Sequence, residues 1–292
     1  MLKSNLIKKL TTVPSQTYDK TFLKDFLYGS TFELDQRIRT HTRMGSRSDF
    51  HQWIVSKIKP EGMLTLDAGC GTGNLLIPIA NHIKKHQKQG YVVGVDISQS
   101  LINHLNKYLI QTKLPVTCAT ADIEKLNFPD KMFDRVLCAY VLYHCPKIHK
   151  ALSELHRVVK ENGRVFVMTN SRETMREFER INSEVLSLTL SAKVPLAARI
   201  ESRFCSENAN DYFSKYFRII NRFTYRDVLE FSTAKDFINF YNSSRGRNRF
   251  YLTRHQCELL QKKLRYVTEN LMSGSGVIQI KKCSHLFCLT SL

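Results

Sequence analysis

The 292-residue sequence has no run of about 18 apolar residues, the length that a membrane-spanning helix requires, so we expect no transmembrane segment. Its eight cysteines include no C-x-x-C pair, and several lie in apolar, strand-like runs. Scattered thiols of this kind are typical of small buried side chains in a reducing compartment. The sequence therefore predicts a cytoplasmic protein without a disulfide framework.

The positive charge of the chain is not concentrated. The net charge is +18, and residues 1–150 and 151–292 each carry +9. A surface dedicated to nucleic acid would concentrate its charge, so composition does not favour a nucleic-acid partner. The dense basic segment Arg245–Arg249 nevertheless leaves RNA as an alternative, against the simpler interpretation of a solvated turn.

Metal binding finds little support in the sequence. His82 and His86 lie one helical turn apart, but Lys84 and Lys85 lie between them. No carboxylate or cysteine accompanies the pair along the chain, and neighbouring cations oppose metal binding. We predict no metal site.

The most informative stretch is a short apolar strand that runs into a glycine-rich turn and then a helix, reading Leu64-Thr65-Leu66-Asp67-Ala68-Gly69-Cys70-Gly71-Thr72-Gly73-Asn74. Three glycines at alternate positions leave bare backbone for a ligand, and amides from Gly73 onward would face it. Such a turn can hold a phosphate, a nucleotide or a carboxylate. The spacing does not fit the dinucleotide fingerprint G-x-G-x-x-G, and no Lys-Ser/Thr follows as in a phosphate-binding loop.

Two later strands end in acidic residues. Tyr91–Val95 leads to Asp96, and the strand that begins at Val116 leads to Asp122. A carboxylate at a strand tip can accept hydrogen bonds from both hydroxyls of a ribose, or it can simply cap the next helix.

Five strands alternate with helices up to residue 170, which predicts a parallel, doubly wound sheet that binds ligands beyond the carboxyl ends of its strands. The helix that begins at Ile148 is expected to stop at Asn162-Gly163. Residues 217–225 and 227–231 are predicted to form two strands. Residues 276–282 and 286–290 are predicted to pair with each other and complete the sheet.

Taken together, the motif D-x-G-x-G-x-G at Asp67, the acid at Asp96, the F-D-x-V strand at Phe133 and the L-Y-H loop at Leu142–His144 resemble a known family. Residues from about 37 to 170 resemble a class I S-adenosylmethionine (SAM) methyltransferase of the methyltransferase type 11 group. The resemblance implies a Rossmann-like, seven-stranded mixed sheet, mostly parallel with an antiparallel last strand, and helices on both faces. One departure is the separation of 29 residues between Asp67 and Asp96, which exceeds the usual value of about 20.

The resemblance also assigns cofactor-binding roles to the matching positions of this chain, with SAM as the cofactor. The methionine part would contact Asp67, Ala68, Gly69, Cys70, Gly71 and Gly73. The ribose would contact Asp96 with Ile97, the adenine Asp122 with Ile123, and the sulfonium side Ala139 with Tyr140. A lead-in helix would add Arg37 and His41.

We predict four segments from the punctuation of the chain. Residues 1–60 form a helical lead-in over the cofactor site, and residues 61–170 form the SAM-binding core. Residues 171–214 form a helical lid, and residues 215–292 complete the sheet.

The predicted function is direct in-line transfer of a methyl group from SAM to the N, O or C atom of a small-molecule acceptor. The alternatives are a tRNA or rRNA methyltransferase and, from a different class, a non-catalytic SAM-fold partner subunit. If the acceptor carries a proton, His144 is the candidate base, with Tyr140 and Tyr143 as lesser candidates. The simpler interpretation of His144 is a core histidine bonded to backbone in the loop before Pro146. No membrane partner is expected, and the oligomeric state, monomer or homodimer, stays open.

Overall fold

The computed structural model describes residues 2–12, 38–41, 43–87, 89–245, 248 and 251–292. The prediction for Arg37 lies outside these ranges, and so does most of the basic segment Arg245–Arg249. Within them, every helix is too short or too polar to cross a bilayer.

The described residues form an alternating series of strands and helices. The strands are β1 Leu64–Ala68, β2 Tyr91–Asp96, β3 Val116–Thr120, β4 Phe133–Ala139, β5 Val159–Asn170, β6 Phe217–Phe231 and β7 Ile278–Ser291. The α-helices are α1 Leu2–Thr11, α2 Phe50–Ile58, α3 Leu76–Lys85, α4 Gln99–Ile110, α5 Ile148–Val158, α6 Arg176–Leu190, α7 Ala209–Phe213, α8 Ala234–Arg245 and α9 Arg254–Ser275. Two short 3₁₀ turns cover Leu142–His144 and Ile200–Arg203.

All seven strands belong to one sheet, in the order β3-β2-β1-β4-β5-β7-β6. Strands β1 to β5 are parallel, and β7 lies antiparallel between β5 and β6. This is the mixed, doubly wound sheet that the resemblance implies, so the predicted fold class is confirmed. The strand order reverses at β1, which pairs with both β2 and β4. Ligands bind at such a switch point in open α/β sheets.

Helices cover both faces of the sheet because their apolar residues recur every three or four positions. On one face, α5 buries the apolar stripe Ile148, Ala151, Leu152, Leu155 and Val158. On the other, α3 buries Leu76, Ile79, Ala80 and Ile83. The two resulting cores hold the carboxyl ends of β1 to β5 at one rim.

The end of α5 corrects one prediction. The helix ends at Val158, and Val159 is already extended and pairs with Phe133 of β4. Asn162-Gly163 therefore lies inside β5 and does not stop the helix.

The structure of β6 and β7 corrects a second prediction. The segments predicted as separate strands are continuous, and they pair with each other from Phe217↔Ser291 to Phe231↔Ile278. Strand β5 ends at Asn170, opposite Ser284. The last six pairs of β6 and β7 thus project beyond the carboxyl end of β5, and we call this part the β6–β7 extension.

A third hydrophobic core covers the β6–β7 extension, and we call it the distal core. Helices α1, α6, α8 and α9 contribute to it together with both strands. Its largest fully buried side chains include Phe178, Phe231, Phe237, Phe240 and Tyr241.

The distal core predicts a measurable stability difference between two positions of β6. Leu229→Ala is expected to lower the free energy of unfolding by about 2–5 kcal/mol, because Leu229 is completely buried and its truncation leaves a cavity. Ile220→Ala on the same strand should change it by less than about 0.5 kcal/mol, because Ile220 is 42% exposed. Urea unfolding of the two variants checks the difference, and equal effects would contradict the assignment of Leu229 to a packed core.

Candidate active site

The glycine-rich turn leaves β1 at the rim and is tied to β2. The backbone oxygen of Val95 accepts the amides of Gly69, at 2.7 Å, and of Cys70, at 2.9 Å. Gly69, Gly71 and Gly73 all have positive φ angles, of 91°, 55° and 88°. Only glycine adopts such conformations at little cost, so the alternating glycines are required by the path of the turn.

Close packing adds a second requirement at two of these glycines. A Cβ atom on Gly69 would lie 2.2 Å from Cγ2 of Val141, and one on Gly73 would lie 2.7 Å from Cδ1 of Leu105. The amide of Gly73 donates to the carbonyl oxygen of Cys70 at 2.9 Å. The expectation that this amide faces a ligand is therefore corrected: Gly73 contributes its conformation, and its N–H is used within the turn.

Asp67, the last residue but one of β1, carries an exceptional carboxyl group. Asp67 is only 2% exposed, and the Oδ2 atom of its carboxyl group is buried without a hydrogen-bond partner. Burial, and secondarily the charge of Asp96, raise the pKa of Asp67 to about 7. An unpaired buried carboxyl oxygen costs free energy unless a ligand donates to it.

Asp96 ends β2 beside the turn. Its Oδ2 atom accepts the amide of Gly71 at 3.0 Å, and its Oδ1 atom accepts the amide of Ser98 at 2.9 Å. A carboxylate has about four acceptor sites, so these two bonds orient Asp96 and leave capacity for hydroxyl donors. Burial raises its pKa above the usual value despite these hydrogen bonds. The next residue, Ile97, is partly exposed.

Asp122 follows the neighbouring strand tip. The amide of Ala121 donates to the backbone oxygen of Asp96 at 3.0 Å, which places Asp122 directly beyond the end of β2. Its Oδ1 atom accepts the amide of Glu124 at 2.9 Å. Ile123 is almost fully buried in the core next to it. The structure thus brings the two acidic tips onto one rim.

The exit of β4 closes against the glycine-rich turn. After Ala139, Tyr140 has a φ of 62°, and its amide donates to the backbone oxygen of Met168 at 2.8 Å. Its phenol lies 3.0 Å from Oγ of Ser284, to which it donates. Burial raises the pKa of Tyr140 to about 12. A phenol that stays protonated at neutral pH cannot serve there as a base, which speaks against Tyr140 in that role.

The 3₁₀ turn Leu142–His144 holds the other candidate bases. Tyr143 is buried in the core, and the ring centroids of Tyr143 and His144 are 4.5 Å apart. Which of the two acts as a base stays a prediction.

Glu201 near His144 was missed by sequence reasoning. Burial alone would raise the pKa of Glu201, but the charge of Arg199, hydrogen bonds and the charge of His144 together hold it below its usual value. Arg199 lies 3.3 Å from Glu201. No local pattern relates position 201 to position 144, so only the fold brings them together.

Arg203 fastens the two 3₁₀ turns to each other. Its guanidinium donates to the backbone oxygens of Cys145, at 2.7 Å, and Pro146, at 2.5 Å. The carboxylate of Glu201 is therefore held on a fixed support beside the His144 turn.

Two histidines before β1 have defined contacts. The ring of His41 lies edge-on against Phe240 of α8, with centroids 5.8 Å apart. Its role toward the cofactor stays a prediction. His51 of α2, which the sequence did not single out, places Nε2 3.1 Å from Oδ1 of Asn74 in the glycine-rich turn.

The histidine pair on α3 has a carboxylate neighbour after all. Nε2 of His82 lies 2.5 Å from Glu61, which precedes β1, and the ring centroids of His82 and His86 are 4.4 Å apart. This acid comes from a different part of the sequence, so the neighbours of the pair along the chain did not indicate it. No group of three or more metal-ligating side chains with suitable geometry occurs among the residues described.

These features fit one cofactor. Asp67 offers an unsatisfied buried oxygen for an ammonium group, Asp96 offers acceptors for a ribose, and glycines keep the intervening surface free of side chains. On this strand order, with an antiparallel seventh strand, the arrangement defines the class I SAM-dependent methyltransferase architecture.

Comparison with known proteins agrees with this class. Residues 66–167 match the model of the family described as "Methyltransferase domain". Over 117 residues the chain is 36% identical to the ubiquinone/menaquinone biosynthesis C-methyltransferase UbiE of Bordetella avium, covering 40% of this chain and 44% of that protein. Over 121 residues it is 31% identical to the ubiquinone biosynthesis O-methyltransferase of Coxiella burnetii, covering 41% and 49%.

A solved structure supports the fold over a longer range. The putative methyltransferase from Bacillus halodurans superposes with a TM-score of 0.52 at 15% identity, covering 82% of this chain and 96% of that one. The chain spans about half the length of the two curated relatives. Residues 66–167 are a class I methyltransferase domain, and SAM is the cofactor of this family.

The turn geometry predicts loss of cofactor binding on a one-carbon change. Gly69→Ala is expected to weaken SAM binding at least tenfold, because the new Cβ atom meets Val141 and the residue has a positive φ. Gly274→Ala on α9 is the control, since a Cβ atom there meets nothing within 4 Å. Calorimetric titration with SAM measures the affinity of both variants. Unchanged affinity of Gly69→Ala would refute the assignment of the glycine-rich turn to cofactor binding.

The raised pKa of Asp67 predicts a pH dependence of SAM binding. Below pH 7 the Asp67 carboxyl group holds a proton, since its pKa is about 7. A cationic ammonium group must displace that proton. Affinity is therefore expected to rise with pH from about 5 to 7, by at most about tenfold per unit, and then to level off.

Titrations across this range check the slope, and Asp67→Asn is the matched control because it has nothing to titrate there. A wild-type profile that is as flat as that of Asp67→Asn would show that Asp67 does not meet the cofactor's positive charge.

Proposed function

We propose that this chain is a SAM-dependent methyltransferase whose acceptor is a small molecule with an ionisable hydroxyl group, of the phenol or quinol type. The observation that carries the methyltransferase part is the buried, unpartnered oxygen of Asp67 beside the ribose-type acceptor Asp96. The two neighbouring carboxylates repel each other, which costs free energy when no ligand is bound. The positive charge of SAM offsets this repulsion.

The acceptor class rests on the relatives. One matched protein is named a C-methyltransferase and the other an O-methyltransferase, and both names refer to quinone biosynthesis. Their shared chemistry supports a small aromatic acceptor, whereas the difference between them leaves the methylated atom open.

Each part of the rim has a task in this proposal. The turn from Asp67 to Gly73 holds the methionine part, Asp96 with Ile97 the ribose, and Asp122 with Ile123 the adenine. When bound, SAM supplies an activated methyl group. The protein's remaining work is to align the acceptor with that group and to exclude water.

Deprotonation of the acceptor is assigned to His144. Glu201 acts as a positioning residue, because a carboxylate beside a histidine favours the protonated imidazolium that forms when the base takes a proton. The support for this assignment is that Arg203 fastens the turn containing Glu201 to the residues that follow His144, and that the charge of His144 contributes to the lowered pKa of Glu201. The alternative is that His144 only fills the core.

The helices on the β6–β7 extension are assigned as the lid. Five residues separate the end of β5 from the start of helix α6. Together with α8 and α9, this helix lies beyond the carboxyl ends of the parallel strands. A lid of this kind excludes water from the reacting atoms.

All eight cysteines lie in the described ranges and none forms a disulfide. This supports a reducing, cytoplasmic location.

The test is methyl transfer from labelled SAM to a panel of phenols and hydroquinones. His144→Asn is expected to lower kcat by about 10²–10⁴-fold with unchanged SAM affinity. Glu201→Gln should lower kcat less and shift the acid limb of the pH–rate profile to lower pH, since a histidine without a neighbouring anion loses its proton more easily. His104→Asn, an exposed histidine of α4, serves as the control.

The outcomes separate the alternatives. Turnover that is unchanged in His144→Asn would assign that residue to the core. An absence of binding heat with SAM would favour a non-catalytic subunit. Methylation of RNA but of no small molecule, with affinity that falls steeply with salt, would favour the RNA alternative.

A further inference from the structure

A cavity of about 470 Å³ lies where the first turns of α6 meet the β6–β7 extension. It belongs neither to the glycine-rich turn nor to the His144 turn. Its walls come from four parts of the chain, and the residues that line it are Ser46, Glu173, Arg176, Glu177, Arg180, Arg226, Asp227, Val228, Lys281, Lys282 and Cys283. Five of these side chains are cationic and three are carboxylates. We call it the cationic cleft.

The three carboxylates are already engaged. Glu173 pairs with Arg176 at 3.0 Å, and Oε2 of Glu177 accepts the amide of Lys281 at 3.2 Å. Asp227, whose side chain is 3% exposed, accepts Oγ of Ser46 at 3.1 Å and faces Nζ of Lys282 at 3.5 Å. These acids therefore build the walls and neutralise two of the five cations.

Three cationic side chains have no direct ion-pair partner among the described residues of the cleft, and because Glu177 keeps its charge when it accepts an amide, five cations against three carboxylates leave a formal net charge of +2. Within the described part of the chain, no hydrogen bond or ion pair holds the side-chain head groups of Arg180, Arg226 and Lys281. Of these three cations, Arg226 also acts on the neighbouring His285. Together with burial, which is the larger cause, Arg222 and Arg226 lower the pKa of His285 to about 4. Burial also lowers the pKa of Lys282.

The cleft borders the acceptor side of the methyl-transfer site. Ser284, the neighbour of the lining residue Cys283, receives the hydrogen bond of the Tyr140 phenol at 3.0 Å. Asp227 and Cys283 also act electrostatically on Tyr140. Tyr140 directly follows the strand end that the proposed function assigns to the sulfonium side, so the cleft and the methyl-transfer site have Tyr140 as a common neighbour.

We propose that the cationic cleft binds an anionic group, a carboxylate or a phosphate, carried by the methyl acceptor. Arginine side chains bind both groups through paired N–H donors, and Arg180 and Arg226 stand on different elements that could clamp the anion from two sides. The inference rests on the proposed function and deepens it. The acceptor is then an acidic hydroxyarene rather than a neutral one.

The first experiment measures anion binding without any methyl transfer. Benzoate and phenyl phosphate are titrated into the full chain at low ionic strength, with chemical-shift changes as the readout. The wild type should show saturable binding of at least one probe. Arg180→Gln/Arg226→Gln should weaken it at least tenfold.

The control variant is Arg218→Gln/Arg254→Gln, which removes the same charge from exposed positions outside the cleft. Its affinity should stay within twofold of the wild type. Equal losses in both double variants would show that only the diffuse charge of +18 attracts the probes. That result, or non-saturable binding to the wild type, overturns the proposal. Far-ultraviolet circular dichroism verifies that each variant is folded.

The second experiment connects the cleft to catalysis. A dihydroxynaphthalene is compared with its carboxylate and its phosphate derivatives as acceptors of labelled methyl. The preferred acid should have a KM at least tenfold lower than the neutral compound, and Arg180→Gln/Arg226→Gln should abolish that preference without affecting SAM binding. If neither SAM binding nor methyl transfer occurs, the proposed function is wrong. The anion titration still tests, independently of that result, whether the cationic cleft binds an anion. Equal KM values for neutral and acidic acceptors would refute the link between the cleft and the acceptor.

Discussion

One shared acceptor, the backbone oxygen of Val95, organises the rim of this sheet. It receives the amides of both Gly69 and Cys70, and so ties the turn after β1 to the strand beside it. The next contact, from the amide of Gly71 to Asp96, orients the carboxylate at the tip of β2. Because all three donors are backbone groups, the distance between the turn and the acid depends on main-chain geometry and not on side-chain packing. The positive φ angles of the glycines are the condition for this geometry.

The same rim contains the clearest conflict in the structure. Asp67 is buried with an unpartnered oxygen close to a second acid, Asp96, and its pKa rises to about 7 as a result. A fold optimised only for stability would replace or pair such a group. Conflicts of this kind concentrate where a ligand completes the structure. A cationic ligand with hydrogen-bond donors resolves both parts of the conflict, because it satisfies the oxygen and screens the two acids from each other.

Sequence reasoning was most successful where the signal is local. The alternation of strands and helices, the turn at Gly69 and the acidic strand tips all follow from patterns a few residues long, and the mixed sheet is confirmed. The prediction left Arg226 and residues 283–285 outside the strands, because polar side chains there interrupt the apolar pattern of β6 and β7. Cross-strand pairing overrides these interruptions. The approach of Glu201 to His144 has no local signature, since it depends on how two distant 3₁₀ turns pack.

Tyr140 joins the rim of the sheet to the last strand of the chain. A left-handed conformation costs a non-glycine residue roughly 1 kcal/mol or more. Here it turns the chain so that the next residue, Val141, packs against Gly69, while the phenol reaches Ser284 on β7. Ser284 in turn donates to Oδ1 of Asn170, at the end of β5. The hydrogen bond from Tyr140 to Ser284 and the contact of Val141 with Gly69 thus connect β7 to the glycine-rich turn, so the last strand of the chain takes part in holding the first cofactor-binding turn in place.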